Sequence, residues 1–145
     1  MQNWQTPTTG HGYERNATLK NPFFTILVAD DKLSFESFLG EFFKTDGHFV
    51  LKTESAAEAL ESTRRFLPDM ILLNQTLGAR RGLSLIPELL TEQPEAALIL
   101  MAAKPLISEA VEAMRLGAVD YLERPLDPIR LKLAIDNQKA LLEYR

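Results

Sequence analysis

Short apolar runs alternate with segments of helical spacing from Phe23 to the end of the chain. Five of these runs have the length and composition of β-strands, and amphipathic segments separate them. The predicted strands are residues 25–29, 49–53, 70–73, 97–101 and 119–122. Strict alternation of this kind favours right-handed crossovers and a parallel sheet with helices on both faces.

Start signals support several of the predicted helices. Ser55 with Glu58 three residues later is a capping-box pattern, and Asp127 before Pro128 supplies a cap and a proline suited to the first helical position. A helix is also predicted between the first two strands from one apolar stripe, made by Leu33, Phe38, Leu39, Phe42 and Phe43.

Residues 1–22 differ from the rest because they are rich in Thr, Asn, Gln and Gly. Their few apolar residues follow neither the two-residue period of a strand nor the 3.6-residue period of a helix. We predict a flexible N-terminal extension there and one domain over residues 23–145. A chain of 145 residues, 46% of them hydrophobic, has the size and composition of one domain with a real core.

Charge and composition exclude several function classes. Sixteen Lys plus Arg against 20 Asp plus Glu give a net charge of -4, the wrong sign for gripping nucleic acid through its phosphates. The absence of cysteine excludes disulfides, Cys-ligated metal and a thiol nucleophile. No signal-peptide pattern or membrane-length apolar run is present, so a cytoplasmic protein without membrane or direct nucleic-acid contact is predicted.

The carboxyl ends of parallel strands are where such sheets bind ligands, and polar residues follow the predicted strands there. Asp30 and Asp31 follow the first strand, Asn74 the third and Arg124 the fifth. The acidic pair has two interpretations at this point: complementing a helix N-terminus, or binding a hard cation such as Mg²⁺.

These positions and four motifs resemble the receiver domain of two-component response regulators. The motifs are ILVADD at 26–31, PDMILLN at 68–74, LILMAAK at 98–104 and GAVDYLERPLDP at 117–128. The resemblance implies a flavodoxin-like, doubly wound (βα)5 fold, an α/β three-layer sandwich around a five-stranded parallel sheet.

The resemblance also assigns family roles to positions of this chain. Asp30 and Asp31 match the acidic pair that holds Mg²⁺, and Tyr121 matches the aromatic switch position. Three positions depart from the family, where an Asp accepts a phosphoryl group, a Thr or Ser hydroxyl senses it and a Lys contacts it. The residues found there are Asn74, Ala102 and Arg124, respectively.

Each departure removes chemistry that phosphorylation needs. The Asn74 amide has no anionic oxygen to attack phosphorus, and its neutral charge weakens or abolishes Mg²⁺ binding, so no cofactor other than weakly bound Mg²⁺ is predicted. Ala102 has no hydroxyl to couple the site to Tyr121. We expect the Arg124 guanidinium to bridge to Asp30 or Asp31 in place of metal and phosphate.

The resulting hypothesis is an atypical, non-enzymatic receiver that works through a protein partner or an output domain, as in a transcriptional regulator. The resemblance implies a homodimer face over residues 108–116, 119–122 and 127–142, on which Ile135 and Leu142 are the predicted interface residues.

Two alternatives stay open. One is a phosphotransfer-competent receiver in which Asn74 is an engineered change. The other is a small-ligand sensor, in which Arg81 and Lys104 contact an anion beside Asp31 and Asn74.

Overall fold

The computed structural model describes residues 24–32 and 48–143. Its strands are β1 (Thr25–Ala29), β2 (Phe49–Thr53), β3 (Met70–Asn74), β4 (Thr76–Leu77), β5 (Arg80–Arg81), β6 (Ala97–Ala102) and β7 (Asp120–Glu123). Its helices are α1 (Ala56–Phe66), α2 (Gly82–Glu92), α3 (Ile107–Arg115) and α4 (Pro128–Glu143). The helix predicted between β1 and β2 and the N-terminal extension lie outside the described residues.

Five strands form one parallel sheet in the order β2-β1-β3-β6-β7, which confirms the predicted fold class. Strands β1, β3 and β6 are buried along their whole length. A strand covered on both faces has no wet side, which explains the continuous apolar runs in the sequence.

Alternate residues of the central strands divide the core into two layers. Ile26, Leu72 and Ile99 pack on the face covered by α4, whereas the opposite cluster lies against α1, α2 and α3. That opposite cluster includes Leu27 and Leu73 from the sheet. Helices therefore cover both faces, and all five strand ends with their polar residues lie at one edge.

The predicted helix caps are present. The Ser55 hydroxyl accepts a hydrogen bond from the Glu58 amide at 3.1 Å, and the Glu58 carboxylate accepts from the Glu54 amide at 2.9 Å. At α4 the Asp127 carboxylate accepts from the Ile129 amide at 3.0 Å, one residue after Pro128 opens the helix. These bonds satisfy amide groups that a helix start leaves without a backbone partner.

The prediction that Ile135 lies at a protein interface is wrong. Its side chain is 1% exposed and packs with Leu131 in the layer beneath α4, because residues four apart on a helix share a face. Ile129 and Leu133 occupy the exposed side of the same helix. Leu142 follows Ile135 by seven residues, about two helical turns, so it lies on the same side of α4 as Ile135, although it is 36% exposed. An interface role for Leu142 stays a prediction.

Two further features complete the fold. Strands β4 and β5 form a small antiparallel hairpin directly after β3, which sequence periodicity did not predict.

Within residues 24–32 and 48–143, no helix has the length and apolar character needed to span a membrane.

Candidate functional site

The site is built at the carboxyl edge of the sheet from residues at the ends of β1, β3 and β7. Asp30 follows β1, Asn74 ends β3, and Arg124 follows β7. The Arg124 backbone amide donates a hydrogen bond of 2.9 Å to the Ala102 carbonyl, which holds the Arg124 backbone at the end of β6. From there its side chain extends toward the ends of the two central strands.

Arg124 joins the other two residues through its guanidinium. Its Nη2 lies 3.1 Å from Asp30 Oδ2, and its Nη1 donates a hydrogen bond of 2.6 Å to Asn74 Oδ1. The side chains of Arg124 and Asp30 are only 11% and 3% exposed. The contact expected between Arg124 and one of the two aspartates is therefore made to Asp30, in a nearly dry environment where charge pairing is strong.

The remaining atoms of Asp30 and Asn74 are also engaged. Asp30 Oδ1 accepts from the Lys32 amide at 3.2 Å, and Asn74 Nδ2 donates to the Thr76 carbonyl at 2.7 Å. This second bond orients the Asn74 amide so that its oxygen faces Arg124. Asn74 thus acts as donor on one side and acceptor on the other, which an ionised carboxylate could not do.

Asp31 points away from this ion pair. Its Oδ2 accepts from the Gly78 amide at 2.7 Å, and its Oδ1 lies 3.8 Å from Lys32 Nζ. The acidic pair is therefore divided between two tasks: Asp30 pairs with Arg124, and Asp31 anchors the β4–β5 hairpin.

These residues do not fit a bound Mg²⁺. The ion requires oxygen ligands in near-octahedral geometry, but the guanidinium of Arg124 already contacts both Asp30 Oδ2 and Asn74 Oδ1. A divalent cation there would meet a positive charge in place of a third carboxylate. In the described part of the chain, no group of three or more acidic or histidine side chains is arranged to hold a metal ion.

Tyr121 forms a separate polar cluster on the α3 side of the edge. Its hydroxyl donates to Glu109 Oε1 at 2.7 Å and accepts from the Leu106 amide at 3.1 Å. Burial raises the pKa of the Tyr121 phenol, the bond to Glu109 raises that pKa further, and the Leu106 amide opposes the change. Ala102, fully buried, contributes only a methyl group at the end of β6.

Sequence reasoning missed two members of this cluster, Glu109 and Gln75. Gln75 Nε2 donates to Glu109 Oε1 at 2.6 Å and to the Lys104 carbonyl at 2.9 Å. Glu109 is 6% exposed. Its position four residues before the buried Ala113 was the available signal, because both residues lie on the inner face of α3.

The two proposed anion contacts lie beside this second cluster. Arg81 Nη2 is 3.9 Å from Glu109 Oε2, and the Arg81 side chain is 69% exposed. Lys104 is exposed, and its backbone amide and carbonyl both contact the Gln75 side chain. An anion-binding role for either residue stays a prediction.

Comparisons with known proteins agree on one family. The family model described as "Response regulator receiver domain" matches residues 26–136. The transcriptional regulatory protein ZraR of Escherichia coli (strain K12) is 32% identical over 118 residues, which cover 81% of this chain and 25% of ZraR. The chain thus spans about a quarter of the length of the curated relatives it matches.

Solved structures show the same likeness. A response regulator from Burkholderia pseudomallei, described with a phosphorylated aspartic acid, calcium ion and citrate, superposes with a TM-score of 0.72 at 28% identity. The alignment covers 83% of this chain and 72% of that one. A CheY-like receiver domain from Methanospirillum hungatei JF-1 has a TM-score of 0.78 at 20% identity, covering 84% and 98% of the two chains, and supports the fold alone.

Proposed function

Because this chain belongs to the family of response regulator receiver domains, we propose that it is a receiver that signals through protein contacts without accepting a phosphoryl group. The observation that carries the proposal is the bridge from Arg124 to both Asp30 and Asn74. This bridge supplies a fixed positive charge at the strand ends, where family members hold a metal ion and a phosphoryl group.

Asn74 removes the nucleophile. Aspartyl phosphorylation requires an ionised carboxylate that attacks phosphorus, and the amide of Asn74 offers no such oxygen. The Asn74 oxygen is also directed at Arg124, 2.6 Å away, and its nitrogen is bonded to the Thr76 carbonyl. The residue therefore supports a structural bridge and has no role as phosphoacceptor.

Ala102 removes the sensor. A hydroxyl at the end of β6 would follow a phosphoryl oxygen and transmit its presence toward the aromatic switch position. A methyl group makes no such bond, and the Tyr121 hydroxyl is bonded instead to Glu109 and the Leu106 amide. The domain thus lacks the acceptor and the relay, and its role is non-enzymatic.

Output passes to a partner protein or to a further domain of a transcriptional regulator. ZraR and the alginate biosynthesis regulator AlgB of Pseudomonas aeruginosa are both named transcriptional regulatory proteins, and their matched segments are about a quarter of their lengths. A regulator of that kind acts in the cytoplasm and contacts DNA through another domain, which fits the net charge of -4 on this chain.

Phosphorylation chemistry tests the proposal directly. We would incubate the protein with Mg²⁺ and acetyl phosphate and measure its intact mass without acid or heat, which would hydrolyse an acyl phosphate. The wild-type protein is expected to gain no phosphoryl group. The amide chemical shifts in its NMR spectrum are expected not to change when Mg²⁺ is added. A stoichiometric phosphoryl adduct on the wild-type chain would contradict the proposal.

The matched positive control restores the family residues at the three altered positions. A variant with Asn74→Asp, Ala102→Thr and Arg124→Lys is expected to accept the phosphoryl group under the same conditions. The single variant Asn74→Asp separates the alternatives: if it is labelled as fully as the triple variant, Asn74 alone disables the site. Labelling only of the triple variant would show that Arg124 and Ala102 also contribute.

We further propose that the domain forms a homodimer through α3, β7 and the outer face of α4. Apolar side chains are exposed along this surface: Leu106, Ile107, Val111, Met114, Val119, Ile129 and Leu133. Sedimentation of wild type should give twice the mass of the chain, and Ile107→Glu should reduce it to the monomer mass. Ala57→Glu, at an exposed position on α1, is the control, and a monomeric wild type would reject this face.

A further inference from the structure

Glu109 is a buried carboxylate that has no part in the ion pair of the proposed function. Although it lies in the first turn of α3, where acidic residues are ordinarily solvated, its side chain is only 6% exposed. Burying a carboxylate is costly unless hydrogen bonds replace its water, so each of its contacts matters for the local conformation.

Three elements converge on this one side chain. Tyr121 from β7 donates to Oε1 at 2.7 Å, Gln75 after β3 donates to the same oxygen at 2.6 Å, and Arg81 of β5 lies 3.9 Å from Oε2. Hydrogen bonds to an ionised acceptor are about twice as strong as those between neutral groups. Glu109 therefore joins α3 to the sheet and to the β4–β5 hairpin.

The same cluster fixes the loop between β6 and α3. The Tyr121 hydroxyl accepts from the Leu106 amide at 3.1 Å, and Gln75 bonds the carbonyl of Lys104 at 2.9 Å. Both side chains that restrain the loop are themselves oriented by Glu109. Leu106 and Ile107, at the end of this loop, are 60% and 85% exposed.

We propose that Glu109 acts as a latch that holds Tyr121 and the loop of residues 103–106 in one conformation, so that Leu106 and Ile107 are presented in a fixed arrangement without phosphorylation. Glu109 is thus a positioning residue that acts through Tyr121 and Gln75. The statement that no phosphorylation is needed rests on the proposed function, whereas the latch itself rests only on the contacts above.

Gln75 connects the latch to the ion pair. It follows Asn74 directly in the chain, and its own amide donates to the Met101 carbonyl at 2.7 Å at the end of β6. A backbone shift at Asn74 would therefore act directly on the residue whose side chain bonds Glu109. This adjacency gives the latch a covalent link to the site at the strand ends.

Amide hydrogen exchange of the whole chain, followed by NMR, tests the latch. Glu109→Ala and Tyr121→Phe should each speed exchange at Leu106 and its loop neighbours by about tenfold or more, the effect expected from losing a charge-assisted hydrogen bond. The amides of β1 should remain protected, which shows that each variant is folded. Glu112→Ala is the matched control, since Glu112 lies on the same helix and pairs only loosely with Arg115 at 3.9 Å.

Glu109→Gln provides a second measurement with a nearly isosteric side chain. It keeps one acceptor oxygen but loses the charge, so exchange of the loop should increase less than in Glu109→Ala. The Tyr121 phenol, followed by its ring carbon shift, should titrate at lower pH in Glu109→Gln than in wild type. This readout reports on the contact itself and would not move if Glu109 only filled space.

Two outcomes would overturn the latch: loop exchange in Glu109→Ala no faster than in Glu112→Ala, or an unchanged Tyr121 titration in Glu109→Gln. Neither outcome bears on whether wild type accepts a phosphoryl group. Conversely, a phosphorylated wild type would reject the proposed function and leave the exchange result standing. The two failures are therefore distinguishable.

Discussion

Replacing Arg124 with methionine would leave the Asp30 carboxylate buried and unpaired. The Asp30 side chain is 3% exposed and that of Arg124 is 11% exposed, and removing one partner of a buried pair costs about 3–5 kcal/mol. Asp30 Oδ1 still accepts its hydrogen bond of 3.2 Å from the Lys32 amide, so one oxygen of the carboxylate keeps a partner. We therefore expect Arg124→Met to lower the free energy of unfolding by about 3 kcal/mol.

Urea unfolding followed by circular dichroism measures this loss. With a urea slope of about 1–3 kcal/mol per molar for a small domain, the midpoint should fall by about 1–3 M. Arg130→Met is the control because Arg130 pairs with Asp120 at 3.3 Å, but their side chains are 55% and 31% exposed. Such a surface pair contributes at most about 1 kcal/mol, so its midpoint should move little.

A double-mutant cycle assigns the loss to the ion pair. Asp30→Asn removes the charge that needs a partner, so Arg124→Met should cost about 2 kcal/mol less in that background. Equal costs in both backgrounds would instead assign the loss to other contacts of Arg124. If Arg124→Met costs no more than Arg130→Met, the reasoning that an arginine has taken the place of the cation is refuted.

Two further predictions concern the surroundings of the site. A Cβ at Gly82 would lie 2.5 Å from the Asn74 carbonyl oxygen and 2.8 Å from Leu100 Cδ1, so Gly82→Ala should lower the free energy of unfolding by about 1–3 kcal/mol in a urea titration. Because burial and Glu109 raise the pKa of Tyr121, the phenol stays protonated to a higher pH in the folded protein than in the unfolded chain. The associated stability is present below about pH 10 and is lost as pH rises through the raised pKa, so Tyr121→Phe should flatten the alkaline decline in urea midpoints.

Strand positions could be predicted from sequence because buried parallel strands are written as continuous apolar runs. The bounds of β1 and β2 agree with the prediction, whereas β3 and β6 each extend one residue further and β7 is shifted by one. The hairpin of β4 and β5 could not be predicted because two-residue strands carry no periodic signal.

The last helix shows where apolar pattern alone falls short. Leu131 and Ile135 lie on one face of α4, and Ile129 with Leu133 lie on another. Sequence spacing separates these two faces, but both are apolar, and nothing in the pattern says which one meets the sheet. The structure shows that the face of Leu131 and Ile135 packs on the sheet, so Ile135 belongs to the core and not to an interface.

The ion pair could be predicted in kind but not in detail. The strand-end rule places Asp30, Asn74 and Arg124 at one edge, although Asn74 and Arg124 are 50 residues apart in sequence. The choice of Asp30 over Asp31 depends on where each side chain leaves the end of β1, and on the Gly78 amide that binds Asp31. Glu109 was missed because its spacing alone also fits an ordinary acidic residue near a helix start.

The permanence of the Arg124 charge has a consequence for regulation under the proposed function. A phosphoryl group is added and removed, whereas a guanidinium supplied by the chain stays beside Asp30 as long as the domain is folded. Under that proposal, the arrangement of Leu106 and Ile107 is set by the sequence itself, and an enzyme cannot reset it by hydrolysis. A partner can shift that state only by binding one arrangement of the loop and Tyr121 more tightly than another, to the extent of its differential affinity.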